Sequence, residues 1–107
     1  MVDVVEQKSI LAKYSSKINN AAFEKMAKNY SLVMSGVDSR HVACGDSSER
    51  DTVRENFLKK KLGLTGDDAL NASIEAVCVT MKEDRLKSRL VFYYLLAEKH
   101  GKLGVFA

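Results

Sequence analysis

The sequence predicts an all-α protein, organised as a compact single-domain bundle of about five helices over residues 1–107. Three observations predict this class: the chain contains no proline, apolar residues recur at spacings of three and four, and no useful length of sequence alternates as a strand would. Proline is the strongest helix breaker, so its absence leaves long helices possible. A chain of 107 residues with 46% hydrophobic residues suits one globular core and excludes a disordered protein.

The first third of the chain predicts a helix pair over about residues 3–34. Asn19 or Asn20 is expected to cap the second helix, because asparagine side chains accept from free amides of a first turn. The expected apolar faces are Val4, Leu11, Tyr14 and Ile18 in the first helix, and Phe23, Met26, Tyr30 and Val33 in the second. Residues 35–46 hold two glycines and lack a helical period, which predicts one long loop.

The third helix is predicted over about residues 48–62. Ser47 or Ser48 is expected to cap its start, and Gly63 is expected to end it in a left-handed conformation. A pair of opposite charges four residues apart, Glu55 and Lys59, supports the helix. Its predicted buried side consists of Val53, Phe57, Leu58 and Leu62.

The fourth and fifth helices are predicted over about residues 66–82 and 84–100. Thr65 is the expected cap of the fourth helix, whose apolar stripe consists of Leu70, Ile74, Val77, Cys78 and Met81. Residues 90–97 are apolar on all sides of a helix, which predicts a central helix enclosed by the others. The apolar tail at 101–107 is expected to pack back onto the core.

Composition excludes several classes of protein. No run of about 18 apolar residues is present, so we expect no membrane-spanning helix. The acidic N-terminus is unlike a signal peptide, which predicts a cytoplasmic protein whose two cysteines stay reduced. Cys44 and Cys78 lie too far apart for the paired spacing of a zinc site, and the sequence predicts no metal, no cofactor and no catalytic motif.

The net charge of +3 is local. Residues 82–107 contain six basic and three acidic side chains, whereas residues 1–81 are balanced. If the last helix extends back to Lys82, then Lys82, Arg85 and Arg89 lie on one face, where they form a candidate anion-binding site for phosphate or a nucleic-acid backbone. The favoured alternative is a solvated face with ordinary ion pairs.

Nucleic acid is possible but not favoured as a partner. The helix pair around residue 63 resembles a helix-turn-helix in outline, but Asp67 and Asp68 stand in the turn that would contact bases. Carboxylates there repel phosphates, so an ordinary helical hairpin is the better interpretation.

Cys44 and His41 form a second candidate site, a reactive thiol with a nearby base. A cysteine becomes nucleophilic at neutral pH when a base or positive charge favours its thiolate. The favoured alternative is a cysteine packed against the core beside a solvated histidine. Cys78, on the apolar stripe of the fourth helix, is expected to be a packing residue.

Several stretches together resemble a family of small bacterial proteins, domain of unknown function 2853. The stretches are Val42-Ala-Cys-Gly-Asp46, Val53 to Leu64, Glu75 to Met81 and Asp84 to Glu98. The resemblance covers roughly residues 38–107, and the chain departs from the family pattern at Arg40-His41, where it is polar. The resemblance implies a bacterial, cytoplasmic, stand-alone domain and brings no activity, cofactor or catalytic residue.

The sequence therefore predicts a non-enzymatic protein-binding or accessory module, with a protein partner or self-association. The alternatives are an anion or nucleic-acid binder that uses residues 82–89, and, ranked last, a small thiol enzyme that uses Cys44.

Overall fold

A computed structural model describes residues 4–36 and 39–106 of the chain. The predicted start of the first helix at residue 3, positions 37 and 38 of the predicted loop, and residue 107 of the predicted tail lie outside these described residues.

The described residues form a helical bundle with one very small sheet, which confirms the predicted fold class. The α-helices are α1 (Val4–Leu11), α2 (Asn20–Asn29), α3 (Ser31–Ser35), α4 (Ser47–Thr52), α5 (Asp67–Thr80) and α6 (Arg89–Lys99). Helix α4 continues without a break as a π-helical segment, Val53–Lys59, and a 3₁₀ turn spans Leu103–Val105. The antiparallel strands are β1 (His41–Val42) and β2 (Lys87–Ser88).

Helix α6 lies at the centre of the bundle, as its apolar sequence predicts. Every residue from Arg89 to Ala97 is buried, and α1, α2 and α5 all pack against this helix. The ring of Tyr93 stacks on Phe57 with centroids 4.1 Å apart, and Tyr30 meets both rings edge-on. The predicted stripes at 53–62 and 70–81 are buried against this centre, and Phe106 closes it from the C-terminal tail.

The predicted helix pair at the N-terminus is instead three helices. Asn19 caps α2 as predicted, with its side chain accepting from the amide of Ala22. Helix α2 then ends at Tyr30, whose backbone leaves the helical region and separates α3. The bend before α2 is fastened to the central helix, because the Asn19 amide donates to the Tyr94 hydroxyl at 2.8 Å and Ser15 donates to Glu98 at 2.8 Å.

Two predicted helix caps are wrong. Helix α4 is capped by Asp46 rather than by Ser47 or Ser48, and the Asp46 carboxylate accepts from the Ser48 amide at 2.9 Å. A carboxylate complements the positive end of a helix better than a neutral hydroxyl does. At the start of α5 the cap position belongs to Gly66 rather than to Thr65. The backbone at this position has a φ of 93°, which glycine adopts readily and which would be strained for a β-branched residue such as threonine.

The predicted helix over 84–100 begins five residues late, at Arg89. The Asp84 carboxylate accepts hydrogen bonds from Lys13 at 2.7 Å and from Tyr14 at 2.6 Å in place of a helical turn. Helix α6 begins after Ser88, whose hydroxyl accepts from the Val91 amide as the cap. Residues 87–88 pair as β2 with β1, so the predicted long loop at 35–46 contains a strand.

Candidate functional site

The three cations predicted to share a helix face do not do so. Lys82 and Arg85 are exposed in the turn between α5 and β2, whereas Arg89 is 7% exposed inside α6. The prediction required a helix that extends back to Lys82, and this condition is not met. Anion binding by Lys82 and Arg85 stays a prediction without the helical geometry that supported it.

Arg89 uses its guanidinium to hold the protein together. It donates to the backbone carbonyls of Ser39 and His41, to the Tyr93 hydroxyl at 2.9 Å, and to the Glu49 carboxylate. These acceptors come from the segment before β1, from β1, from α6 itself and from α4. Arg89 therefore fastens the 39–41 backbone and α4 to the central helix, and four of its five N–H donors are already used within the chain.

His41, the proposed base beside Cys44, lies on β1. Its backbone carbonyl accepts from Arg89, and its pKa is lowered by partial burial and by the nearby Arg40 and Arg89 charges. The imidazole is therefore neutral at pH 7, the protonation state in which it could accept a proton.

The two cysteines are bonded to each other, so the expectation that they stay reduced is wrong for this structure. The Cys44–Cys78 disulfide joins residues 34 positions apart, and no described cysteine is free. The sequence places Cys44 in the turn before α4 and Cys78 on the buried stripe of α5, and the fold brings these elements together. A nucleophilic Cys44 stays a prediction that concerns only the reduced protein.

An open groove lies between the start of α1 and helices α2 and α3. We call it the α1–α3 groove; its volume is about 600 Å³. It is lined by Val4, Glu24, Ala27, Lys28, Ser31, Leu32 and Ser35. Leu32 is 85% exposed, which leaves almost its whole side chain in water.

A second depression continues from this groove along α1. It has a volume of about 330 Å³, shares Val4 with the α1–α3 groove, and adds Val5, Ala12 and Ile18. Val5 is 78% exposed. The two depressions together present an apolar surface that spans α1 and α3.

Sequence reasoning missed this surface because it searched for charged and sulfur-containing groups. The available signal is an apolar residue outside the buried stripe of its helix. Leu32 lies off the predicted face that contains Tyr30 and Val33, and Val5 lies beside Val4 on the first helix. An isolated exposed leucine is common, and only the fold shows that Leu32 and Val5 line two depressions that share Val4.

The charged residues that line the two depressions have a small positive excess. Lys28 and Glu24 line the α1–α3 groove, Lys8 lines the second depression, and Lys25 lies with Glu24 and Lys28 in a separate depression. None of these four side chains takes part in an ion pair among the described residues. Their charges are therefore available to a charged partner.

A polar cleft between α4 and α5 offers less. Its volume is about 260 Å³, and its lining includes Arg50, Asp51 and Arg54. Arg50 pairs with Glu75 at 2.6 Å, and Arg54 pairs with Asp51 at 3.1 Å. The cations of this cleft are already neutralised within the chain.

Residues 4–36 and 39–106 contain no group of three or more His, Cys, Asp or Glu side chains placed to hold a metal ion. None of the helices in this part of the chain combines the length and hydropathy needed to cross a membrane.

Comparison with known proteins gives a family and no activity. No curated protein shows significant similarity to the chain. The model of the family described as "Protein of unknown function (DUF2853)" matches residues 6–104, and so extends N-terminal to residues 38–107, where the sequence resemblance lies. The chain therefore belongs to the DUF2853 family.

Proposed function

We propose that this protein is a non-enzymatic binding module that holds an amphipathic helix of a partner protein in the α1–α3 groove. The observation that carries the proposal is the 85% exposure of Leu32 at the edge of an apolar groove of about 600 Å³. Large exposed apolar side chains that border a groove favour a protein partner, because their burial on binding supplies the driving force.

The lining of the groove favours a helix as the bound element. Val4, Ala27 and Leu32 come from three helices, with small residues such as Ser31 between them. Recognition of this kind places apolar side chains of the partner, spaced three and four residues apart, into a groove between helices. Binding through an exposed strand edge is less favoured, because the paired strands in the described chain have only two residues each.

Charge favours an acidic flank on the partner. Lys8 and Lys28 line the two depressions together with one carboxylate, that of Glu24, and Lys25 lies beside Glu24 and Lys28. Carboxylates beside the apolar anchors of the partner would meet these unpaired ammonium groups, which accelerates association and selects against basic helices.

The expected energetics give Leu32 the largest role. Burying one leucine side chain contributes about 1.5–3 kcal/mol, which corresponds to roughly a 10- to 150-fold change in Kd. A charge at this position adds the cost of desolvation, so the Leu32→Glu variant should lose binding through the groove.

The test selects short peptides from a random display library on the immobilised protein and measures their affinity by fluorescence anisotropy. We expect acidic peptides with apolar residues at helical spacing, which bind the wild type and lose at least about tenfold in affinity for Leu32→Glu. The matched control is Leu86→Glu, because Leu86 is 67% exposed and lines neither depression.

Three results would contradict the proposal. Selected peptides that bind wild type and Leu32→Glu equally would place binding elsewhere. Self-association of the wild type that Leu32→Glu abolishes would make a second copy the occupant. Peptide binding that appears only when residues 1–3 are deleted would make the chain's own N-terminus the occupant.

A further inference from the structure

The Cys44–Cys78 pair occupies a place in the fold that is suited to reversible chemistry. Cys44 lies in the turn between β1 and α4 and is partly exposed, whereas Cys78 on α5 is 7% exposed. The two residues of the disulfide therefore differ in their access to solvent, and Cys44 is the more accessible of the two.

The turn that contains Cys44 has open space at the next residue, Gly45. Apart from its chain neighbours, no heavy atom lies within 4 Å of the position that a Cβ on Gly45 would occupy. The turn is closed by a hydrogen bond from the Asp46 amide to the Ala43 carbonyl, at 3.1 Å. Cys44 is thus presented on a short, well-formed turn with free space beside it.

Contacts other than the disulfide hold the two elements together. Arg50 on α4 donates to the Cys44 carbonyl and pairs with Glu75 on α5 at 2.6 Å. Arg89 also fastens the backbone before Cys44 through the Ser39 and His41 carbonyls. These contacts do not need the sulfur–sulfur bond, so opening it should leave the cysteines, whose Cα atoms lie 6.0 Å apart, close to each other.

We propose that Cys44 and Cys78 form a redox-active thiol–disulfide site that exchanges with low-molecular-weight thiols such as glutathione. The thiolate of the incoming thiol attacks the Cys44 sulfur, a new S–S bond forms there, and the Cys44–Cys78 bond breaks. Cys78 leaves as a thiolate and takes a proton. A second thiol then attacks the incoming sulfur, which releases a small-molecule disulfide and the Cys44 thiolate; two thiols are oxidised and the protein disulfide is reduced.

The reverse direction gives the two cysteines different roles. A small-molecule disulfide oxidises Cys44 to a mixed disulfide, and the Cys78 thiolate then attacks the Cys44 sulfur and expels the small thiol. Cys44 is the exchanging residue and Cys78 the resolving residue. The site is independent of the α1–α3 groove, so either proposal can fail alone.

The first experiment uses the wild-type chain in glutathione buffers of increasing reducing strength. The redox state is measured by alkylation and mass spectrometry, and helix content by circular dichroism. We expect a reversible transition between one bonded and one dithiol form with helix content retained. Unfolding upon reduction, or failure of the disulfide to re-form, would overturn the proposal.

The second experiment assigns the roles of the two sulfurs. In the fully reduced wild type, limiting iodoacetamide should label Cys44 at least about tenfold faster than Cys78, because reactivity follows access. The matched variants Cys78→Ser and Cys44→Ser are exposed to glutathione disulfide. A stable mixed disulfide should accumulate on Cys78→Ser and not on Cys44→Ser, and equal labelling or the reverse preference would overturn the assignment.

Discussion

Arg89 offers the sharpest test of how the fold is held together. Replacing it by methionine keeps much of the side-chain volume and removes all the guanidinium donors. The change leaves the Glu49 carboxylate, whose side chain is 20% exposed, and the Tyr93 hydroxyl without their cationic partner. It also leaves two backbone carbonyls of the 39–41 segment without a donor.

The magnitude follows from the burial of Arg89 and the partial burial of Glu49. Breaking a fully buried ion pair by removing one partner costs about 3–5 kcal/mol, because the remaining charge is uncompensated. Since water reaches the Glu49 carboxylate, we expect the lower end of this range, about 3 kcal/mol. At about 4–8 °C for each kcal/mol in a domain of this size, Arg89→Met should lower Tm by roughly 12–24 °C. Glu49→Gln removes the stranded charge, so the double variant should be more stable than the sum of the two single effects implies.

The assay is urea unfolding at pH 7, followed by circular dichroism, with Arg85→Met as the matched control. Arg85 is exposed, and its replacement should change the free energy of unfolding by no more than about 0.5 kcal/mol. A cost below about 1 kcal/mol for Arg89→Met would refute the structural role. Loss of phosphate binding in that variant with its stability intact would instead favour the anion-binding interpretation.

Three further substitutions test other parts of the fold. Asp84→Asn should lower the free energy of unfolding at pH 7, because hydrogen bonds from Lys13 and then Tyr14 lower the pKa of Asp84 in the folded protein. The stabilisation by the Asp84 carboxylate is present above about pH 4 and is lost as the pH falls through its lower folded pKa. Urea unfolding at pH 7 and pH 3 should show a smaller pH dependence in the variant, and an unchanged one would contradict this. Phe57→Ala should cost about 3–5 kcal/mol by the same assay, since Phe57 is 1% exposed; a cost near zero would contradict the core assignment. Gly66→Ala should lower Tm, because a φ of 93° is strained for alanine; a raised Tm would show that the turn relaxes.

The sequence could predict the elements whose own residues decide their structure. The apolar run from Leu90 to Ala97 needs enclosure whatever surrounds it, and the structure buries all of it. The stripe from Leu70 to Met81 shows a helical period over three turns, and its residues are buried as predicted. Of the two asparagines predicted as alternative caps of α2, Asn19 is the one that caps it, and Gly63 has a φ of 70° as expected.

The remaining features depend on contacts between distant residues. Strands of two residues, such as His41–Val42, are too short to show a period of two, and they form because Lys87–Ser88 lies alongside. The burial of Arg89 depends on Glu49, forty positions earlier. The spacing of Lys82, Arg85 and Arg89 would place them on one face of a helix. Only the tertiary structure shows that Lys82 and Arg85 lie outside the helix that contains Arg89.

The candidate surface shows the same limit. Leu32 and Val5 are apolar residues outside their stripes, which the sequence does display. Their placement in two depressions that share Val4 depends on the turn between α2 and α3 at Tyr30 and on the packing of α1 against α6. Neither the turn at Tyr30 nor this packing follows from the spacing of apolar residues, because the sequence predicts α2 and α3 as one continuous helix.

The central claim is that the α1–α3 groove receives a helix of a partner protein. The most direct measurement is a titration of the isotopically labelled protein with a display-selected acidic peptide, followed by amide chemical shifts. We expect the largest shifts at residues that line the groove, including Ala27, Lys28 and Leu32, and little change in the turn around Leu86. Shifts centred on that turn, or on the cleft around Arg54, would contradict it.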